Sequence, residues 1–312
     1  MSAIVRIFLR HAGPWSLAIL FIFSVGPAMA AKRLGPPIEE LRSAPERVRI
    51  VRAEAREKQA PNVIVFSVVD RLTGDSPDEI LLRTDLPAFA DVQAGQKYIV
   101  AWTDLRRNRG VIGGWEQDPE GFSTVEVIGL GEATIFEDSP ELVFLFGVGT
   151  PADQAAAGKQ LDALLALLQR EDPRSQGLAA TELMLRPDLL ENMSSTQAGR
   201  LQQALDTRDM APLHRDYLLR AVLEIAPELT SPWLAEQFRR VIISYGNQYD
   251  LASFVPGLVR TAARGLQQTG EPTDVALLDL LLYSNNPGVA KAALSSMDSL
   301  DRQAAVGRAQ LA

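Results

Sequence analysis

The chain has no cysteine and only two histidines among its 312 residues. Without cysteine there is no disulfide, thiolate metal site, nucleophilic thiol or lipid-modified N-terminal Cys. A chain of this length can bury a sufficient core without cross-links. His11 lies in a removable-leader pattern, which leaves His214 as the one imidazole for a Ser-His-Asp triad, a histidine zinc site or a general base. Asp216 follows it by two positions, about 200 degrees round a helix, so a packed helical histidine is the expectation. Nucleotide motifs are missing too. Gly129-Leu130-Gly131 and Gly147-Val148-Gly149 lack the third glycine of a dinucleotide turn, and Gly158-Lys159 lacks the rest of a phosphate loop. There is no Gly-x-Ser-x-Gly, His-Glu-x-x-His or Ser-x-x-Lys. No catalytic residue and no cofactor is therefore expected, and the chain reads as a non-enzyme.

Long apolar runs are scarce as well. The one at the start, Ser16 to Val25, follows Arg6 and Arg10 and precedes Gly26-Pro27-Ala28-Met29-Ala30. A basic start, an apolar run and small residues at Ala28 and Ala30 are the three regions of a signal peptide. The run is about half the roughly 20 residues that span a bilayer. Residues 1–30 are read as a cleavable signal with Ala31 first in the mature chain, and an uncleaved anchor as the alternative. The expected location is periplasmic or secreted. Loss of Arg6 and Arg10 takes the formal net charge from −8 to −10. So acidic a chain is repelled by nucleic acid and anionic lipid, and neither is an expected partner. Stable membrane insertion after cleavage is not expected. The one basic run, Arg42, Arg47, Arg49, Arg52, Arg56 and Lys58, is interleaved with Glu46, Glu54 and Glu57. A solvated strand or helix face accounts for it as well as an interface does.

Composition changes at Thr150-Pro151. After a linker, 31–46, residues 47–150 alternate β-branched or aromatic with polar residues, while in 151–312 Ala, Leu, Gln and Arg recur at helical spacing. Strands are expected at Arg47–Ala53, Val63–Val69, Glu79–Thr84, Lys97–Thr103, Ser123–Ile128, Ala133–Phe136 and Leu142–Val148, with turns at Thr73-Gly74-Asp75, Ala94-Gly95-Gln96 and Asp138-Ser139-Pro140. Short strands hide their edges most economically in a small antiparallel barrel. Helices are expected at Ala152–Arg170, Arg174–Leu185, Ser195–Asp206, Leu213–Ile225, Pro232–Tyr245, Leu251–Gln268, Thr273–Tyr283, Gly288–Met297 and Asp301–Gln310. The fold class is a small β-barrel domain followed by an α-helical repeat domain.

Two resemblances sharpen this outline. Val63–Val69, Arg71-Leu72-Thr73-Gly74, Asp78–Thr84 and the Gly95-Gln96-Lys97-Tyr98-Ile99-Val100 strand resemble, in order, the OB-type barrel of netrin-like and metalloprotease-inhibitor-like domains. Inhibitors of that family present an N-terminal Cys to a protease metal, so the cysteine-free chain does not inherit inhibition. Asp172-Pro173, Ala211-Pro212 and Asn286-Pro287 each open a helix, at steps of 39 and 75 positions. That period is similar to HEAT-type helical hairpins, which stack to build a core and leave an extended groove. An irregular helical domain is the alternative.

Carboxylates and aromatics supply the candidate site residues. Eight acids and no Lys or Arg lie between Glu116 and Glu141. Glu116-x-Asp118-x-Glu120 has the alternating oxygens of a calcium loop, with Pro119 inside it and Val127 where the closing Glu belongs. A solvated acidic loop is the other reading. Trp102, Arg106, Arg107, Arg109 and Trp115 cluster in sequence as a partner-binding rim, against the alternative that the neighbouring aromatics fill the core. The expected function is an exported scaffold offering a helical groove and a barrel rim to a protein or peptide. A hydrolase using the loop carboxylates and a calcium-dependent structural module are the alternatives.

Overall fold

The chain divides into two units, 1–34 and 35–312, of which the second is compact. The computed structural model describes residues 36–43, 45, 48–60, 63–83, 91–104, 122–124, 134–148, 151, 153–207, 209–225, 232–246 and 254–301, all in the second unit. For 57–60, 83, 104 and 122–124 it describes the backbone alone.

The β part comprises β1 (Val48–Ala60), β2 (Val63–Thr73), β3 (Glu79–Arg83), β4 (Lys97–Asp104), β5 (Phe122–Thr124) and β6 (Ile135–Glu137). Pairing follows the order β1-β2-β3-β5-β4, and β4 returns to β1 along seven residue pairs, Val48↔Thr103 to Glu54↔Lys97. Only β5 completes this circuit, meeting β3 in parallel over two pairs and β4 antiparallel over three. The expected barrel is therefore a mainly antiparallel sheet bent round on itself, not closed as a continuous barrel. β6 pairs with the first half of β4, at Tyr98 to Val100.

Both faces of the central strands are apolar, which explains the unbroken run Tyr98-Ile99-Val100-Ala101-Trp102. Strand side chains alternate. Val51, Ala53 and Ala55 of β1 join Tyr98, Val100 and Trp102 of β4 in one core enclosed by the bent sheet. Ile50, Ile99, Ala101 and Phe136 belong instead to a core shared with the helices. Apolar packing thus runs across the compositional break at Pro151.

Leu142–Val148, expected as a strand, is helix α2 (Pro140–Val148) after a short helix α1 (Pro37–Arg42) within the stretch read as linker. Asp138-Ser139-Pro140 is a helix start and not a turn: Ser139 Oγ accepts the Leu142 N–H at 3.2 Å. Proline then opens the helix, where its missing donor costs nothing. Leu142, Leu145 and Phe146 lie inward at helical spacing, which a short apolar run does not distinguish from a buried strand.

The remaining helices are α3 (Gln154–Leu168), α4 (Pro173–Leu185), α5 (Ser195–Asp206), α6 (Pro212–Ile225), α7 (Pro232–Tyr245), α8 (Val255–Thr269), α9 (Val275–Asp279) and α10 (Pro287–Leu300). Single 3-10 turns, Pro272–Asp274 and Leu280–Tyr283, flank α9. Most termini match expectation. The Asp301–Gln310 helix and most of the Ser123–Ile128 strand lie outside the described residues. Starts are set by local chemistry: Asp172 caps α4, Ser194 and Gln197 form a reciprocal capping box on α5, and Asn286 accepts two N–H groups of α10. Alternate helices stack side by side. In one layer α4, α6, α8 and α10 pack successively, each with proline in its first turn (Pro173, Pro212, Pro256, Pro287). In the other, α3, α5, α7 and α9 are joined by α3–α5 and α7–α9 packing and by side-chain bonds between α5 and α7.

Candidate functional site

Of the residues expected at a rim or metal site, Arg106, Arg107, Arg109, Trp115, Glu116, Asp118 and Glu120 lie outside the described residues, as do Ala28 and Ala30. Trp102 is described. It sits in the core enclosed by the sheet, 1 % exposed, and directly opposite Arg49 in the β1–β4 register.

Arg49 shares strand parity with Val51, Ala53 and Ala55, so its side chain enters the same enclosed interior. It is 7 % exposed, and its guanidinium carbon stands 4.9 Å from the centre of the Trp102 ring. Beside it the chain turns at Gly74, whose φ of 67° suits a residue without Cβ. A Cβ there would come within 2.7 Å of the Pro45 carbonyl and 3.1 Å of Arg49 Cγ. The turn therefore closes directly on the arginine stem. Among the described residues Arg49 makes no hydrogen bond or ion pair, and its Nε is enclosed without an acceptor. Arg52, of opposite parity, points to the other face and holds Asp138 through Nε at 2.9 Å and Nη2 at 2.5 Å, which raises its own proton affinity. A cation–π contact offsets a little of the desolvation of Arg49, typically about 0.5–2 kcal/mol. The penalty for an enclosed ion is on the order of several kcal/mol.

The helical layers carry further ordered polar side chains. In the α3–α5–α7 layer, Gln197 Nε2 donates to Asp162 at 3.0 Å and Arg200 approaches the same oxygen at 3.5 Å. Forty positions later Gln237 and Arg240 hold Asp206 at 2.7 and 2.8 Å. The repeated Gln-x-x-Arg pattern is present in the sequence but was not an expected feature. It gives the α3–α5 and α5–α7 pairs one cross-helix clamp each. On the other layer, Arg260 and Arg264 stand one helical turn apart on α8. Arg260 reaches α10, where its Nη1 lies 3.7 Å from a Cβ built on Gly288, and Gln267 donates to Ser299 at 3.0 Å further along. Lys291 follows Gly288 on the same face. Arg220, Arg239 and Arg240 each face a carboxylate, whereas Arg260, Arg264 and Lys291 have none among the described residues.

The buried titratable groups are locked into packing. His214 lies on α6 against Gly177 of α4; burial lowers its proton affinity and Nδ1 has no hydrogen-bond partner. Asp216 is taken up by Arg220 and by Thr261 Oγ1 at 2.5 Å, so it does not orient the imidazole. Glu182 of α4 is buried and accepts the Ile38 N–H of α1 at 3.0 Å. Burial pushes its carboxyl from 4.5 up to about 7, against the pull of that N–H and of Arg186. Among the described residues no group of three or more His, Asp or Glu could hold a metal ion, and no helix is long and apolar enough to cross a membrane.

No protein-family model, curated protein or solved structure matches the chain.

Proposed function

We propose that the protein is an exported, non-enzymatic interaction protein whose stacked helices bind an acidic protein or peptide. The leader pattern of residues 1–30 supports export to the periplasm or beyond. The β1-β2-β3-β5-β4 circuit with a parallel β3–β5 seam supports an OB-type reading of the sheet, a fold that is itself only partly closed. Clamps recurring at 40 positions, and a proline at the start of every helix in the α4–α10 layer, support a HEAT-type reading of the helices. Stacked hairpins of that kind present extended faces for recognition.

The observation that carries the proposal is the row Arg260, Arg264 and Lys291. In a chain of net charge −8 these three cations share one face of adjacent helices without a carboxylate partner among the described residues. Such a face attracts acidic segments and sets their register. The test is fluorescence anisotropy of a labelled Glu-rich peptide with the mature chain. Reversing all three charges to Glu costs about 1.2–6 kcal/mol, a loss of roughly eightfold or more in affinity, taking each exposed pair at the usual 0.2–1 kcal/mol and reversal as twice its loss. Lys159→Glu, on the opposite layer, leaves binding within twofold. Equal binding by the triple variant, or none by the native chain, overturns the reading.

A further inference from the structure

From Arg49 and Trp102 we infer a binding site for a single carboxylate inside one end of the bent sheet, separate from the helical face. Arg49 is the most deeply buried arginine among the described residues. Three other enclosed guanidiniums have counter-charges: Arg174 faces Asp91, Arg186 faces Glu182 and Asp188, and Arg239 faces Asp274. Among the described residues Arg49 has only the Trp102 ring, at 4.9 Å. Its position is over-determined. The β1–β4 register sets it opposite Trp102, and the Gly74 turn presses on its stem. The guanidinium carbon stands over the indole and Nε is enclosed without an acceptor, which leaves the fork of terminal Nη groups as the edge that can meet a ligand.

That edge selects the ligand. A planar fork of N–H donors matches a planar carboxylate through two parallel hydrogen bonds. One cation beside the apolar core enclosed by the sheet neutralises one negative charge. A phosphate dianion would leave an uncompensated charge among Val51, Val100 and Ile135. The shared chemistry is therefore a monocarboxylate, free in solution or at the C-terminus of a peptide.

The mature chain labelled with 5-fluorotryptophan gives a direct readout by fluorine NMR, with the Trp102 signal assigned from Trp102→Phe. Titration with acetate is expected to move the Trp102 resonance saturably and to leave that of Trp233, on α7, in place. Inorganic phosphate at the same ionic strength is expected to move none. A short peptide with a free C-terminus against its amidated form then separates the two sources: tighter binding of the free peptide than of acetate assigns a peptide terminus, and equal binding assigns a small acid. Arg49→Lys, which keeps the charge and loses the fork, weakens acetate binding tenfold or more. Arg49→Met abolishes it while leaving the melting temperature of the ligand-free chain unchanged or higher, because an uncompensated cation has been removed. No saturable Trp102 shift, a shift with phosphate instead, or a shift that persists in both arginine variants overturns the proposal. So does a large fall in melting temperature for ligand-free Arg49→Met, which would mean that a carboxylate of the chain itself already pairs with Arg49.

Discussion

Glu182 should make this protein less stable as the pH rises from acid to neutral. The carboxyl is enclosed between α4 and α1, with the Ile38 N–H as donor at 3.0 Å and Arg186 Nη1 at 3.9 Å. The other charged groups acting on it, Glu39 and Asp188, push its proton affinity further up. With a folded value of about 7 against 4.5, the native state holds the proton more tightly than the unfolded chain does. The resulting stabilisation is fully present below 4.5 and is lost as the pH climbs through 7. Each tenfold difference in proton affinity is worth about 1.4 kcal/mol, so the loss between pH 4.5 and 8 comes to about 3 kcal/mol.

Glu182→Gln isolates that contribution. The amide keeps an oxygen for the Ile38 N–H and nearly the same volume, but it does not ionise. At pH 4.5 the variant should match the native chain to within about 1 kcal/mol, the usual value of a hydrogen bond re-formed in kind. At pH 8 it should be the more stable by about 3 kcal/mol, which for a chain of this size raises the melting temperature by about 6–12 °C. Thermal melts of both proteins every half pH unit give the difference curve directly. Parallel curves from pH 4.5 to 8 would refute the reasoning, since the carboxyl would then have the same proton affinity folded and unfolded.

Three further outcomes follow from the packing. Gly177→Ala places a Cβ 2.7 Å from His214 Nε2 and should cost about 1–3 kcal/mol in urea unfolding, although alanine is the better helix former; adding His214→Ala should recover most of the loss. Asp206→Ala releases Gln237 and Arg240, but the clamp is half-exposed, so the cost should be about 0.5–1 kcal/mol, with a measurable Asp206–Arg240 coupling in a double-mutant cycle. Burial pushes the Asp274 carboxyl up, yet hydrogen bonds from Arg239 and the Glu271 N–H outweigh it and hold the group below 3.8. Asp274 therefore stabilises the fold above pH about 4 and ceases to as the carboxyl protonates, and Asp274→Asn should cost about 2 kcal/mol at pH 7 and progressively less in acid melts.

The helices were the legible part of this sequence, because their signals are local. Apolar spacing and capping residues delimit Ser195–Asp206 and Pro232–Tyr245 to the residue, and proline marks the start of each helix in one layer. Leu142–Val148 was misread where local signals conflict: seven mostly apolar residues suit a buried strand or a buried helix, and only the Ser139 cap separates them. The clamps were present as a repeated Gln-x-x-Arg, but a polar pattern on a helix surface acquires meaning only once the acceptors Asp162 and Asp206 are known to lie on the neighbouring helix.

Arg49 shows where sequence reading stops and why. In the row Arg47, Arg49, Arg52, Arg56, nothing in composition separates one arginine from the next, and interleaved glutamates make all of them look solvated. Strand parity does separate them: Arg49 is in step with Val51, Ala53 and Ala55, and Arg52 is in step with Ile50 on the face turned outward. Parity alone still leaves the charge unexplained, since an inward arginine at a strand end can pair with a carboxylate from elsewhere. What makes it a candidate site is the residue opposite, Trp102, set there by a β1–β4 register that spans 53 positions of chain. Nearness in sequence to Arg106, Arg107 and Arg109 points to Trp102 as a rim residue. The arginine it meets in the fold comes from the neighbouring strand β1, through a pairing that no local pattern encodes.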